Sequence, residues 1–450
     1  MTLDYPITDN ALRWLEAILA ERFGHAWQLR RTAECLELSL VDTEGKIIFD
    51  NLSKSLTEAD SNQPYSLWDA EQEGWVSVLG DPLPAPGEAG LPSPLIEQKY
   101  NNSVVHYDIL GLTYWMLARV EEIARADLDE HERFPASSSH AYKHGYLDRP
   151  VVDEWLHILN QVIKRQWPKV QLCEHEYRTI VTSDVDHPFE YTGKAKKIIR
   201  RFAGDLITRR SVIRALKNLV GELCVPLGFW NIDPNFKGLD FIMNQCEEKN
   251  LTAFFFFITY LTDKNFDADA GINKNVTKLF NLIHKRGHEI GIHPGYNSFN
   301  NREKINKTYE LLVKTFRKEG INQKKIGTRQ HYLRWSTTQT PRILQENNLS
   351  FDTTLGYADM AGFRCGTCYE YLMFDALEQK ILSLKQKPLI VMDGSVFNEK
   401  YMNLDQSSAS EYILRLKGYC KKVDGSFVLL WHNSFFGEKK YYDLFIKIVE

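Results

Sequence analysis

"RTIVTSDVDHP" (Arg178–Pro188) is a β-branched apolar run that ends on two aspartates two positions apart, followed at once by a histidine and a proline. Ile180, Val181 and Thr182 suit a buried strand. Along an extended backbone side chains repeat every second residue, so Asp184 and Asp186 point to the same face. Two carboxylates held together stay ionised only if a cation neutralises them, or one takes a proton. A divalent metal with a neighbouring general base meets both conditions.

From about residue 170 onward, short apolar runs alternate with helical stretches. The strand candidates are "RTIVTS", "TAFFFFIT", "HEIGIH", "KIGTRQH", "SFDTTLG", "PLIVMDGS" and "SFVLLWHN". The stretches "LDFIMNQCEEKN", "VTKLFNLIHKRG", "NREKINKTYELLVKTFRKEG", "TPRILQENN" and "ASEYILRLKGYCKK" read as helices between most of them. This alternation predicts a parallel sheet buried on both faces. Polar residues fall at the strand ends: Asp184 and Asp186 on the first, His293 on the third, Arg329 and His331 on the fourth, Asp393 on the sixth and His432 on the seventh, with Asp352 in the fifth. A (β/α) barrel collects such residues on one rim, whereas an open sheet draws on one switch point. The expectation is therefore α/β, a distorted seven-stranded (β/α) barrel over residues 169–450.

A smaller α+β accessory domain is expected over residues 1–168. "CLELSLVDTEGKIIFDNL" reads as two strands turning at Glu44 and Gly45, and "DPLPAPGEAGLPSP" as a surface connection. "YDILGLTYWMLARVEEIARA" spaces Ile109, Leu112, Met116, Val120 and Ile123 for one apolar helix face. "RPVVDEWLHILNQVIKRQW" does the same with Val152, Trp155, Leu159 and Ile163.

At 450 residues more than one domain is expected. A formal net charge of -4 carries no basic excess to attract nucleic acid. "MTLDYPITDN" shows no secretory signal, and the longest apolar run, "LTAFFFFITYL", is about half of the ~20 residues a membrane span needs. A soluble, cytoplasmic protein without a membrane span is the expectation; the sequence is silent on oligomeric state. Seven scattered cysteines argue against a disulfide framework. The pair in "CGTC", Cys365 and Cys368, has no second pair to complete a zinc site and reads as loop thiols.

An isolated Asp-x-Asp is more often a turn or cap than a ligand pair, so the joint pattern carries the argument. Neutral imidazole is the usual partner of zinc. His293, before the Pro-Gly turn of "EIGIHPGYNS", is the best candidate ligand, with His187, His331 and the Asn297 amide open as a third. His432 in "LLWHN" could protonate a leaving group, and Arg329 could orient an aspartate or bind an anionic intermediate. His284 and His288, at a helix end and its exit, are expected to be solvated.

These residues resemble the polysaccharide deacetylase superfamily (NodB homology, carbohydrate esterase family 4-like), in a bacterial subset with an N-terminal accessory region. "TSDVD" looks like the family's Asp-rich first motif, "HPGYN" its second, "RQHY" its third and "LLWH" its last, while "DTTLGYADMAGFRCGT" lies where the fourth is expected. Asn297 stands where the second motif has a second histidine, and His331 where the third has a proline. The resemblance implies a metal-dependent hydrolase that removes an N- or O-acetyl group from a carbohydrate, with zinc the expected ion. By motif, Asp184 would be the base, Arg329 the residue tuning it and His432 the acid. Asp186, His293 and Asn297 would be ligands, with His331 and His187 as alternatives for the last. Tyr332, Trp335, Asp352, Arg364 and Trp431 would contact substrate, and a backbone N–H near Tyr332 would face the oxyanion. Two other readings stand beside it. One is a catalytically inactive barrel that binds a saccharide or partner through Trp335, Tyr357, Tyr369 and Trp431. The other is a glycosidase that pairs Asp184 with Asp352 or Asp393.

Overall fold

A computed structural model describes residues 8–32, 34–267 and 270–450. The chain divides into two units, one of residues 1–179 with Tyr332–Val428, the other of Ile180–His331 with Leu429–Glu450. The structure is mixed α/β, and each of the seven apolar runs contains a strand, three of them only two residues long.

In the second unit the strands Arg178–Val185, Phe254–Phe257, Glu289–Ile292 and Gly327–Thr328 lie side by side and parallel. On the far side of Arg178–Val185, the Trp431 N–H donates to the Thr182 carbonyl and the Thr182 hydroxyl to the Leu429 carbonyl, which adds the last strand. Helices Pro234–Glu248, Lys274–Lys285 and Arg302–Glu319 make the crossovers. Asp233, Asn273 and Asn301 cap their first turns with side-chain oxygens. Phe255, Phe256 and Phe257 are all buried, as the unbroken apolar run requires. His288 is buried rather than solvated: Gly287, at φ 79°, turns the chain into the strand, and His288 Nδ1 accepts the Ala253 N–H at 3.2 Å. Two helices not expected from the sequence, Ala195–Ile207 and Val212–Cys224, are inserted between the first strand and Pro234–Glu248.

In the first unit a five-stranded sheet runs Trp27–Arg31, Leu36–Leu40, Ile47–Phe49, Asn102–Val105, Ile96–Lys99. The expected hairpin pairs Leu36 with Phe49, and its turn needs Gly45: φ is 83°, and a Cβ there would lie 2.4 Å from the Asn101 carbonyl oxygen. "DPLPAPGEAGLPSP" is only partly a surface connection. Leu83–Pro86 is a buried strand whose prolines leave their carbonyls free to accept from Trp155 Nε1 and the Tyr107 hydroxyl. The helix expected across residues 107–126 stops at Leu117 and is buried on every side, not along one face. Arg119 then adopts a left-handed conformation, φ 51°, that directs its guanidinium to Glu122. Toward the end of this unit, Tyr371–Asp375 and Lys380–Gln386 form an antiparallel hairpin absent from the sequence reading. All seven cysteines are free; Cys365 and Cys368 are buried, and the Cys368 N–H donates to Asp153.

Glu122 lies between Arg119 and Arg364, all three side chains shielded from water, with Arg364 Nη2 2.8 Å from a Glu122 oxygen. Burial opposes its ionisation, yet the two guanidiniums prevail and lower its pKa from the usual 4.5 to about 2. Its contribution is therefore complete above pH 4.5 and disappears as pH falls through about 2. Glu122→Gln leaves two buried cations with too little counter-charge, and is expected to destabilise the protein by about 3–5 kcal/mol in urea unfolding near neutral pH. The difference from the native protein should shrink on acidification; equal midpoints at neutral pH would contradict this account.

Candidate metal centre

Parallel register brings the site together. Val185 pairs with Phe257, Phe257 with Ile292, and Ile292 with Thr328, so these strands end at one level. The residues one step beyond are Asp186, His293 and Arg329. Asp184, two residues before Asp186, shares its face.

Asp186, His293 and His331 each offer a ligand atom within 4.8 Å of the others. His293 Nε2 lies 3.4 Å and His331 Nε2 3.6 Å from Asp186 Oδ1, a buried oxygen that accepts no hydrogen bond of normal geometry. The far side of each ring is fixed. His293 Nδ1 is 2.6 Å from the Arg329 carbonyl, and His331 Nδ1 is 2.8 Å from Asp267 Oδ1. Both partners are acceptors, so each Nδ1 carries the proton and each Nε2 is left to face the cluster. Metal-binding histidines are held in this way. Two imidazoles and one carboxylate suit zinc or a similar divalent ion.

Charge follows from the same packing. Burial disfavours ionised Asp186, but the imidazoles of His331, His293 and His432 hold its carboxyl far below the usual carboxylate range. Burial alone would lower the His293 pKa, and Asp184 with Asp186 raise it instead. Asp184 is buried and accepts from Arg329 Nη1 at 3.2 Å; the same nitrogen donates to the Thr182 hydroxyl at 2.8 Å. Arg329 is itself fully buried and packs over the Phe256 ring. His432 Nε2 stands 3.9 Å from Asp186 Oδ2, and its side chain is 23% exposed.

Asp267 is the residue the sequence reading missed. Besides His331, its carboxylate accepts from the Thr262 hydroxyl at 2.6 Å and from the N–H groups of Thr262, Asp263 and Tyr296. Burial works against its charge, while His331 and Thr262 hold its pKa well below the ordinary value. Gly295 lets this carboxylate approach, since a Cβ there would sit 2.4 Å from Asp267 Oδ2. Asn297 belongs to the same loop: its N–H donates to the Thr262 hydroxyl, and its Nδ2 to Asp263 Oδ2 at 3.2 Å. A sequence signal existed, since Asp267 lies in the loop that leaves the carboxyl end of "FFFF".

The other candidates are dispersed. His187 is exposed, and its carbonyl accepts from the Asn235 and Asn433 amides. Trp431 is fully buried among Phe435, Phe436 and Phe445. Tyr332, Trp335, Asp352 and Arg364 belong to the first unit. There Tyr332 is partly exposed at φ 63°, Trp335 is buried, Asp352 accepts from the Thr354 N–H and hydroxyl, and Arg364 pairs with Glu122. Of the alternatives, Tyr357 is buried and Tyr369 half-buried in the first unit, and Asp393 accepts the N–H of Gly394. If Asp267 fixes the His331 tautomer, Asp267→Asn should weaken zinc binding roughly 10–100-fold in calorimetric titration. Unchanged affinity would remove this role from Asp267.

A family model described as a family of unknown function (DUF7033) matches residues 14–168. No curated protein matches the chain. Among solved structures, a protein described as a polysaccharide deacetylase from Mycobacterium smegmatis is similar at 15% identity and TM-score 0.39, with 61% of this chain and 83% of that one covered. The PuuE allantoinase follows at 14% identity and TM-score 0.33, covering 47% and 65%. A polysaccharide deacetylase described as involved in O-antigen biosynthesis, from Bordetella bronchiseptica, has 16% identity and TM-score 0.24, covering 44% and 65%.

Proposed function

We propose that this protein is a metal-dependent hydrolase that removes an acetyl group from a carbohydrate. The observation that carries the reading is the convergence of Asp186, His293 and His331, with each imidazole fixed through Nδ1, beside the buried Asp184–Arg329 pair. The acetylated sugar follows from the order of the deacetylase-like motifs, within a distorted seven-stranded barrel over residues 169–450. On this reading His331, from "RQHY", is the third protein ligand in place of Asn297, and zinc is the ion.

Asp186, His293 and His331 would hold a divalent ion, which when bound would lower the pKa of a water and polarise the acyl carbonyl. Asp184 takes the proton from the attacking water, and Arg329 orients that carboxylate through its Nη1 hydrogen bond. His432, on the open side of Asp186, donates a proton to the departing sugar nitrogen or oxygen.

Acetate release from partly acetylated chitosan and from O-acetylated xylan tests the reading. Activity should be lost with chelator and restored by zinc. Asp184→Asn should lower kcat roughly 10²–10⁴-fold while zinc still binds, and Asp186→Ala should abolish zinc binding. Zinc binding without chelator-sensitive acetate release from any acetylated glycan would overturn the deacetylase assignment.

The raised His293 pKa adds a pH dependence. A proton on Nε2 competes with the ion, so zinc affinity should fall as pH drops below that raised pKa, and binding should release protons. Calorimetry in buffers of different ionisation enthalpy reads the protons directly. No proton release near neutral pH would mean His293 is already neutral in the free protein.

A further inference from the structure

The inserted helices Ala195–Ile207 and Val212–Cys224 pack against each other with their polarity reversed. Their inner side is polar. Asp205 is fully buried and accepts from the Asn218 amide at 2.6 Å and from Arg209 at 3.0 Å. Glu222, also buried, accepts from Arg201 at 2.9 Å and from the N–H groups of Thr192 and Gly193. Their outer side is apolar: Ile207 is 76% exposed and Ile213 83%, with Leu216, Val220 and Leu223 continuing the stripe at three- and four-residue steps. Leu227 and Phe229 extend it beyond the second helix.

Charge identifies what covers this face. Residues 194–224 contain nine Lys or Arg and only two acids, Asp205 and Glu222, in a chain of net charge -4. Both acids are turned inward onto arginines, so the charge displayed outward is basic, as at Arg200, Arg210 and Lys217. A second copy docked by a two-fold axis would bring the same cations against each other. An anionic bilayer offers acyl chains to the stripe and phosphates to its rim. Each helix has 13 residues, about 20 Å at 1.5 Å per residue, so it suits lying in the interface. Among the described residues no helix is long and apolar enough to cross a membrane.

We propose that the hairpin Ala195–Cys224 is a membrane-surface anchor that inserts its apolar stripe among the lipids of an anionic bilayer. It is rooted in the loop that follows Asp186. The Asp233 carboxylate accepts the N–H groups of Glu190 and Tyr191, and Asn235 and Asn433 both donate to the His187 carbonyl. Docking thus brings this loop, and the strand end beside it, to the lipid headgroups.

The proposal stands apart from the metal-site reading, because its test needs no activity. Full-length protein is floated with vesicles of phosphatidylcholine alone or with an equimolar share of phosphatidylglycerol. The bound fraction should be at least tenfold higher on the anionic vesicles and should fall as added salt shortens electrostatic range. I213E/V220E, at exposed positions, should lose binding at least tenfold with unchanged circular dichroism. R200S/R210S/K217S should lose the preference for phosphatidylglycerol. The proposal is overturned if the native protein does not float with anionic vesicles, or if I213E/V220E floats equally well. A dimer that this variant dissociates, with no flotation of either form, would overturn it in favour of a second copy on the stripe.

Discussion

The parallel register of Arg178–Val185, Phe254–Phe257, Glu289–Ile292 and Gly327–Thr328 is the constraint on which the site depends. Three of these strands supply the residue just past their ends, Asp186, His293 and Arg329, to a common level. A slip of one residue in any strand would turn its polar residue to the other face. The phenylalanine run makes such a slip costly, because its buried side chains pack on both sides of the sheet. Core packing thus holds Asp186, His293 and Arg329 at one level, and the His293 Nδ1–Arg329 carbonyl hydrogen bond ties two of them together.

Asn297 and Asp267 divide between them the work of holding the loops beside the cluster. The amide at position 297 ties its own loop to Thr262 and Asp263. Asp267, from that same neighbouring loop, orients His331. A carboxamide is a weaker zinc ligand than imidazole but a better two-sided hydrogen-bonding group. The loop uses that quality, while His331 faces the cluster. Gly295 is the steric condition for the arrangement, since any side chain there would displace Asp267.

The pattern legible in the sequence was periodic and local. Apolar runs gave the parallel strands of the second unit, and polar residues at their ends gave Asp184, Asp186, His293 and Arg329. Which histidine joins them was not legible, because loop geometry decides it, and His187 and His331 differ in sequence only by context. Asp267 was hidden in an acidic loop, "DKNFDADAG", where composition favours a solvated reading. The strand "KILSLKQ" of the hairpin with Tyr371–Asp375 alternates buried and exposed residues, so it lacks the unbroken apolar run that marks a strand buried on both faces. Arg119 ended a helix that its apolar spacing would continue, since a buried guanidinium takes its geometry from Glu122 and not from propensity.

The inserted hairpin obeys the same energetics with the signs exchanged. Leaving leucine and isoleucine in water costs folding little, because the unfolded chain exposes them as well. An unsatisfied buried carboxylate would cost far more, so the inner face is where pairing has to be complete. Asp205 and Glu222 meet that demand with arginines, an amide and backbone N–H groups. The pairing fixes the rotation of both helices, and that rotation turns the apolar stripe outward. An amphipathic pair selected only for folding would present the opposite face. The reversed arrangement is therefore explained by a second apolar phase outside the chain, and the surplus of basic residues specifies that phase as anionic.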